Sequence, residues 1–254
     1  SNHCRATAVL GAQVGLNVRL LLRADEPPTV DGNLFLSKLA GAAINHYSAV
    51  EFARLPEHVQ YWHKYARSQQ QTPYYIPMGG SNGLGLWGYI EAARELAADF
   101  VKHAIKPTAI IHATGSGGTQ AGLIVGCQLH RIDARVIGFA VCDDAAYFAD
   151  KIAQDIDDWR QLSEAKLPVD LRSICTIDRY KGPRYGRCNP EVFELISTLA
   201  RLEGIILDPV YTGKAFFGML QELRSGHFDG AADIVFLHTG GLFGLFAQRD
   251  QLLT

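Results

Sequence analysis

The chain has 254 residues, 48% of them hydrophobic and 20% charged, with a formal net charge of -2. That is enough apolar material for one large core or two modest ones, and near-neutral charge gives no support for nucleic acid as the main partner. No apolar run is long enough to cross a bilayer, the opening residues have no signal-peptide core, and five scattered cysteines without a C-x-x-C fit reduced thiols in a cytoplasm.

In chain order, CRATAVLGAQVG reads as a helix ending near Gly11 or Gly15, with Ser1 or Asn2 as its N-cap. Capping is the ordinary role for both residues. Residues 17–22 (NVRLLL) read as a strand, followed by the turn signals Pro27, Pro28, Asp31 and Gly32. A second helix is expected over 33–43 and a second strand at INHYSAV. Residues 56–69 form an amphipathic pattern in which Trp62 and Tyr65 read as packing. YYIP at 74–77 reads as a short strand running into the glycine turn 79–83, and a long helix over 86–103 carries an apolar stripe at helical spacing. The boundary between two α/β lobes, 1–77 and 78–254, is placed at this turn.

The second lobe opens with PTAIIH (107–112), an apolar, β-branched strand. ATGSGGTQAG follows, then a helix, then a buried strand at 134–141. Glycines let the backbone of such a turn curl while the N–H groups of the helix start converge, which suits a phosphate. The dinucleotide pattern fails because position 120 is Gln120, and no Gly-Lys pair is followed by Ser or Thr as a P-loop requires. A cradle for one phosphate and an ordinary βα turn both remain open on this loop alone. An acidic helix is expected over 143–158. RYKGPRYGR (179–187) reads as a basic loop in which Tyr180 and Tyr185 fit simple packing. Asn189 and Pro190 start another helix. A strand at 204–207 ends in DPVYTGK and a helix, and a strand at 232–238 ends in Thr239, Gly240 and Gly241 before a last helix. The nine histidines show no metal-ligand spacing, so no metal is expected. Strands alternating with helices imply open, mostly parallel sheets flanked by helices. Polar turns at strand ends would line one ligand crevice.

Five segments, SNHCRATA, IPMGGSNGLGLWGY, ATGSGGTQAGL, LDPVYTGKAF and HTGGLFGLF, resemble the D-cysteine desulfhydrase / 1-aminocyclopropane-1-carboxylate (ACC) deaminase family in order and nearly end to end. That family is made of pyridoxal-phosphate (PLP) enzymes of fold type II. The resemblance implies a two-lobed α/β architecture with PLP in the larger lobe, a small amino-acid substrate and a homodimer. By position it assigns Gly115, Ser116, Gly117, Gly118 and Thr119 to the cofactor phosphate. Asn2 is implied at the phenolic oxygen and Thr239 at the pyridine nitrogen. Ser1, Tyr185, Tyr211 and Thr212 are implied as catalytic residues, Ser1 near the substrate carboxylate and Thr212 as the substrate-discriminating neighbour of Tyr211.

The family's PLP-bearing lysine lies upstream of its Ser-Asn motif, where this sequence starts, and Lys214 belongs to a different motif. The chain is therefore expected to be an N-terminally truncated, inactive fragment of a carbon–sulfur lyase that converts D-cysteine to pyruvate, ammonia and hydrogen sulfide. ACC deaminase and L-cysteate sulfo-lyase are the same-fold alternatives. A lysine-less binder of PLP or another phosphate ligand is the non-enzyme one. A further reading, an N-terminal-nucleophile hydrolase using Ser1, conflicts with the five motifs. Threonine at 212, where the family's deaminases carry glutamate, and His3, where they tend to carry glutamine, favour the desulfhydrase.

Overall fold

A computed structural model describes residues 1–26 and 28–252; Pro27, one of the expected turn signals, lies outside them. The chain divides into two compact units, Ser1–Pro77 and Met78–Thr254.

The first unit begins with α1 (Asn2–Gln13), whose N-cap Ser1 accepts the Cys4 N–H through its hydroxyl at 3.3 Å. Strands β1 (Arg19–Arg23) and β2 (Ala43–Tyr47) pair in parallel, with α2 (Gly32–Leu39) between them in sequence, capped by Asp31. A short α3 (Ala49–Phe52) with a Ser48/Glu51 capping box leads to α4 (Leu55–Ser68). Trp62 on α4 donates to Tyr47 Oη at 2.8 Å, and the Arg19 guanidinium lies 3.6 Å from its ring centroid. Residues 74–77 join no strand. An aromatic and β-branched run supplies propensity, but a ladder also needs a partner edge.

In the second unit a 3-10 turn (Met78–Gly80) precedes α5 (Trp87–His103). Then come β3 (Pro107–Thr114), α6 (Gly118–Leu129), β4 (Arg135–Ala140), α7 (Ala145–Ser163) and β5 (Cys175–Ile177). The chain continues with α8 (Pro190–Glu203), α9 (Thr212–Arg224), β6 (Asp233–Phe236) and a single-turn α10 (Phe243–Phe246). The expected strand at 204–207 is absent among the described residues; Gly204 is instead the left-handed C-cap of α8, with φ 68°. Strand β5, which the sequence does not announce, adds three residues to the far edge beside β4.

The four strands are parallel in the order β5-β4-β3-β6. The alternation along β3 sends Ile110 to one face, against α5, α6 and α7, and Ala109, Ile111 and Ala113 to the other, against α9. Both faces are covered, so the strands are apolar throughout. The order reverses at β3: the chain leaves it for β4 and β5, then returns to lay β6 on its other side. The C-terminal ends of β3 and β6 therefore lie side by side, the usual place for a ligand in an open α/β sheet.

Candidate active site

The glycine turn leaves β3 at Thr114. Its Gly117 takes φ 91°, a conformation closed to most side chains, and serves as N-cap of α6 without a side-chain hydrogen bond of its own. The first N–H groups of a helix have no acceptor within it. That of Gly118 is taken in trans by Ser81 Oγ at 3.1 Å, and Ser81 Oγ also shares a hydrogen bond with Ser116 Oγ at 2.7 Å. The N–H groups of Thr119 and Gln120 are left for a ligand, at the positive end of the helix dipole. The glycine turn at 79–83 thus packs on the 115–119 loop and finishes its shape. A Cβ on Gly118 would stand 2.6 Å from Ser81 Oγ.

Gln120, buried just inside α6, fixes the loop from below. Its Oε1 accepts from Thr114 and Thr176 hydroxyls, both at 3.0 Å, and its Nε2 donates to the Cys175 carbonyl at 2.8 Å. The residue that breaks the dinucleotide pattern is thus the one that ties the loop to β5. Nearby, Cys142 donates weakly to Gly115 O at 3.4 Å, and burial pushes its pKa up to about 11, so it is held as a thiol at neutral pH.

Tyr211 lies over the loop: a Cβ on Gly115 would come within 2.9 Å of its Cε1. Its turn is built on Asp208, a fully buried carboxylate that accepts the N–H groups of Val210 (2.8 Å), Tyr211 (3.0 Å) and Thr212 (2.8 Å). Thr212 is also fully buried; its hydroxyl donates to Asp208 Oδ1 at 2.8 Å and accepts the Asp208 N–H at 2.9 Å. Tyr185 reaches in from the 181–187 connection and its hydroxyl meets that of Tyr211 at 2.6 Å, rings edge to face. Burial first, and Tyr185 second, raise the Tyr211 pKa well above the usual tyrosine range, so its phenol is neutral at physiological pH.

Thr239 follows β6 and is exposed beside the end of β3; the next turn passes close under Asp208, where a Cβ on Gly241 would stand 2.6 Å from Oδ1. The second unit therefore gathers the 115–119 loop, Tyr211, Thr212 and Tyr185 into one place and sets Thr239 just beyond β6, the strand next to the loop's own. Ser1 and Asn2 belong to the first unit, where Asn33 Nδ2 donates to Asn2 Oδ1 at 2.8 Å. Two lysines lie near the loop. Lys151 donates to Ser81 O (3.3 Å) and Asp155 (2.5 Å), and Lys214 to three backbone carbonyls. Among the described residues no group of three or more His, Cys, Asp or Glu is placed to hold a metal, and no helix is long and apolar enough to cross a membrane.

Ser81, Asn33, Gln120, Asp208 and Lys214 carry this geometry without having been assigned to the site from the sequence. Ser81, Gln120, Asp208 and Lys214 had a signal, as members of the family-like motifs, and Asn33 had none.

Residues 1–240 match the family described as pyridoxal-phosphate dependent enzyme. The chain is 38% identical, over 99% of its length, to the bifunctional D-cysteine desulfhydrase/1-aminocyclopropane-1-carboxylate deaminase of Arabidopsis thaliana, and spans 64% of that protein. It is likewise 38% identical over its full length to a putative 1-aminocyclopropane-1-carboxylate deaminase of Thermotoga maritima, of which it spans 78%. A crystal structure of an ACC deaminase homologue superposes with a TM-score of 0.88 at 34% identity, covering all of this chain and 74% of the other.

Proposed function

This chain belongs to the pyridoxal-phosphate dependent enzyme family, with the fold type II architecture, and on that premise we propose that it is part of a lyase acting on a small amino acid, D-cysteine first among them. The residues fit the cofactor's phosphate end. The helix-start N–H groups of Thr119 and Gln120 would be available to an anion there, and Ser81 closes the seat from the side. Bound pyridoxal phosphate supplies an electron sink for the carbon next to the amino group, which permits β-elimination of a thiolate.

The chain's own part is proton handling and placement. Tyr211 Oη, neutral and hydrogen-bonded to Tyr185 Oη, keeps its proton over the loop, where it serves as a hydrogen-bond donor and not as a phenolate base. Asp208 and Thr212 fix the turn that aims Tyr211. Asn2, Thr239 and Ser1 are assigned to the ring oxygen, the ring nitrogen and the substrate side by resemblance. A homodimer is the assembly that the same resemblance supports, and five scattered cysteines without a C-x-x-C favour a cytoplasmic location.

The observation that carries D-cysteine over ACC is Thr212, with His3 as lesser support. A neutral hydroxyl fully paired with Asp208 follows Tyr211 where deaminases of the resembled family carry a carboxylate able to exchange protons during ring opening. The name of the Thermotoga relative supports ACC as the second reading. The complete gene product, given D-cysteine, ACC and L-cysteate in parallel, is expected to release sulfide and pyruvate from D-cysteine and little 2-oxobutyrate from ACC. A higher kcat/KM for ACC reverses the assignment.

For the 254 residues by themselves we propose cofactor binding without turnover, because Lys151 and Lys214 are both engaged. Borohydride reduction in the presence of PLP, followed by intact mass, is expected to give no single-site adduct. A stable adduct on either lysine would refute this.

A further inference from the structure

Lys214 occupies the third position of α9 and is 1% exposed. A helix start is the positive end of the dipole, so an ammonium there gains nothing from the helix. Burial also works against its charge and lowers its pKa. A buried ammonium persists only where its protons are taken. Here all three are: Nζ donates to Val141 O at 3.0 Å, Lys181 O at 2.6 Å and Arg184 O at 3.1 Å.

The acceptors are not scattered. Lys181 and Arg184 lie in the connection that carries Tyr185, and Val141 lies against Gly115. The entry to that connection has its own anchor farther along α9, where buried Glu222 accepts from Arg179 and, at 2.5 Å, from Tyr180. Gly182 and Gly186, with φ 72° and 75°, give the connection turns that few other residues would hold. Three residues after Tyr211, on the same helix start, Lys214 thus grips the backbone that leads into Tyr185, at Lys181 and at Arg184 immediately before it.

We propose that Lys214 is a positioning residue: its ammonium holds the 181–187 connection so that Tyr185 meets Tyr211 over the glycine loop. The consequence for catalysis rests on the function proposed above, but the positioning itself is measured without cofactor or turnover. A wrong function therefore leaves the result standing.

Lys214→Met keeps the side-chain length and removes every donor. If the variant folds as judged by far-ultraviolet circular dichroism, trypsin is expected to cut after Arg184 and Arg187 about tenfold faster than in the wild type. An additional tyrosine should ionise in the ordinary range in an alkaline difference spectrum, because Tyr211 loses its cover. Adding Tyr185→Phe to this variant should leave the Tyr211 titration where Lys214→Met alone puts it. A folded variant with unchanged cleavage and an unchanged titration overturns the proposal. If Lys214→Met does not fold, hydrogen exchange on the wild type decides. The Lys181 and Arg187 amides, bonded to Asp178 O and Arg184 O, should exchange together with the first turn of α9. Exchange at the free rate of a surface loop overturns it.

Discussion

His112 stands three residues before the glycine loop, and its imidazole is fully buried on the α5–α6–α7 face of β3. Nδ1 is 3.0 Å from the Ala113 carbonyl, and Nε2 has no hydrogen-bond partner among the described residues. Burial pushes the pKa down to about 4, against an ordinary 6.5. The unfolded state therefore takes up the proton first. Stability from this group is complete above pH 6.5 and is lost as pH falls towards 4, at up to ~1.4 kcal/mol per pH unit. Urea unfolding at pH 7 and pH 5 should show that loss in the wild type, and a shallower dependence in His112→Leu. Equal pH dependence in the two proteins would show that the buried ring is not the group titrating. Loss of the neutral ring's packing at low pH would reach the loop directly through β3.

The element that sets the loop is α6, and α6 is held by its contact with α5. Gly122 and Gly126 face Leu86, Tyr89, Ile90 and Ala93, so the two helix backbones approach closely. Alanine is the better helix former by about 1 kcal/mol. A Cβ at Gly122, however, would stand 2.6 Å from Tyr89 Cβ and 2.8 Å from the Leu86 carbonyl. Overpacking of that kind costs roughly 1–3 kcal/mol, so it wins. Gly122→Ala is expected to lower the thermal midpoint by about 2–4 °C. It should also weaken PLP binding, since α6 would carry its first turn away from Ser81. A higher midpoint would mean that the helices separate at no cost.

Across the whole molecule burial is uneven. The second unit holds three apolar clusters, on both faces of its sheet and between α8 and α9. In Ser1–Pro77 the buried apolar residues, among those described, are Ala8 and Leu20, while Leu10, Val14 and Leu16 on and just after α1 are well exposed. With so little core to offset its conformational entropy, this unit is the less stable of the two. In hydrogen exchange, amides of β3 and β4 should be the slowest in the chain and those of β1 and β2 should open at lower free energy. Denaturation followed at the Trp62 and Trp159 environments should give two transitions. Coincident transitions would show instead that the units unfold as one. The exposed apolar stretch also makes the 254 residues prone to associate in solution.

The sequence by itself determined the βαβ unit at the centre of the second sheet. The apolar run 107–112, the glycine turn and the following helix are local patterns, and local sterics suffice to write them. It likewise carried the family, because five motifs in order are far more specific than any one. It misplaced the runs at 74–77 and 204–207, where aromatic and β-branched residues promised strands, and it missed β5. A ladder is decided by which edge a segment meets, and that edge lies elsewhere in the chain. The site divides in the same way. Gly115 and Tyr211 were legible as motif members, and Tyr185 only by its position in the resemblance. The hydroxyl of Ser81 on Gly118, the amide of Gln120 under the loop, the Asp208–Thr212 pair and the Lys214 tripod were not. Those bonds, several of them between residues tens of positions apart, need a donor and an acceptor within about 3 Å, and only the folded backbone brings them there.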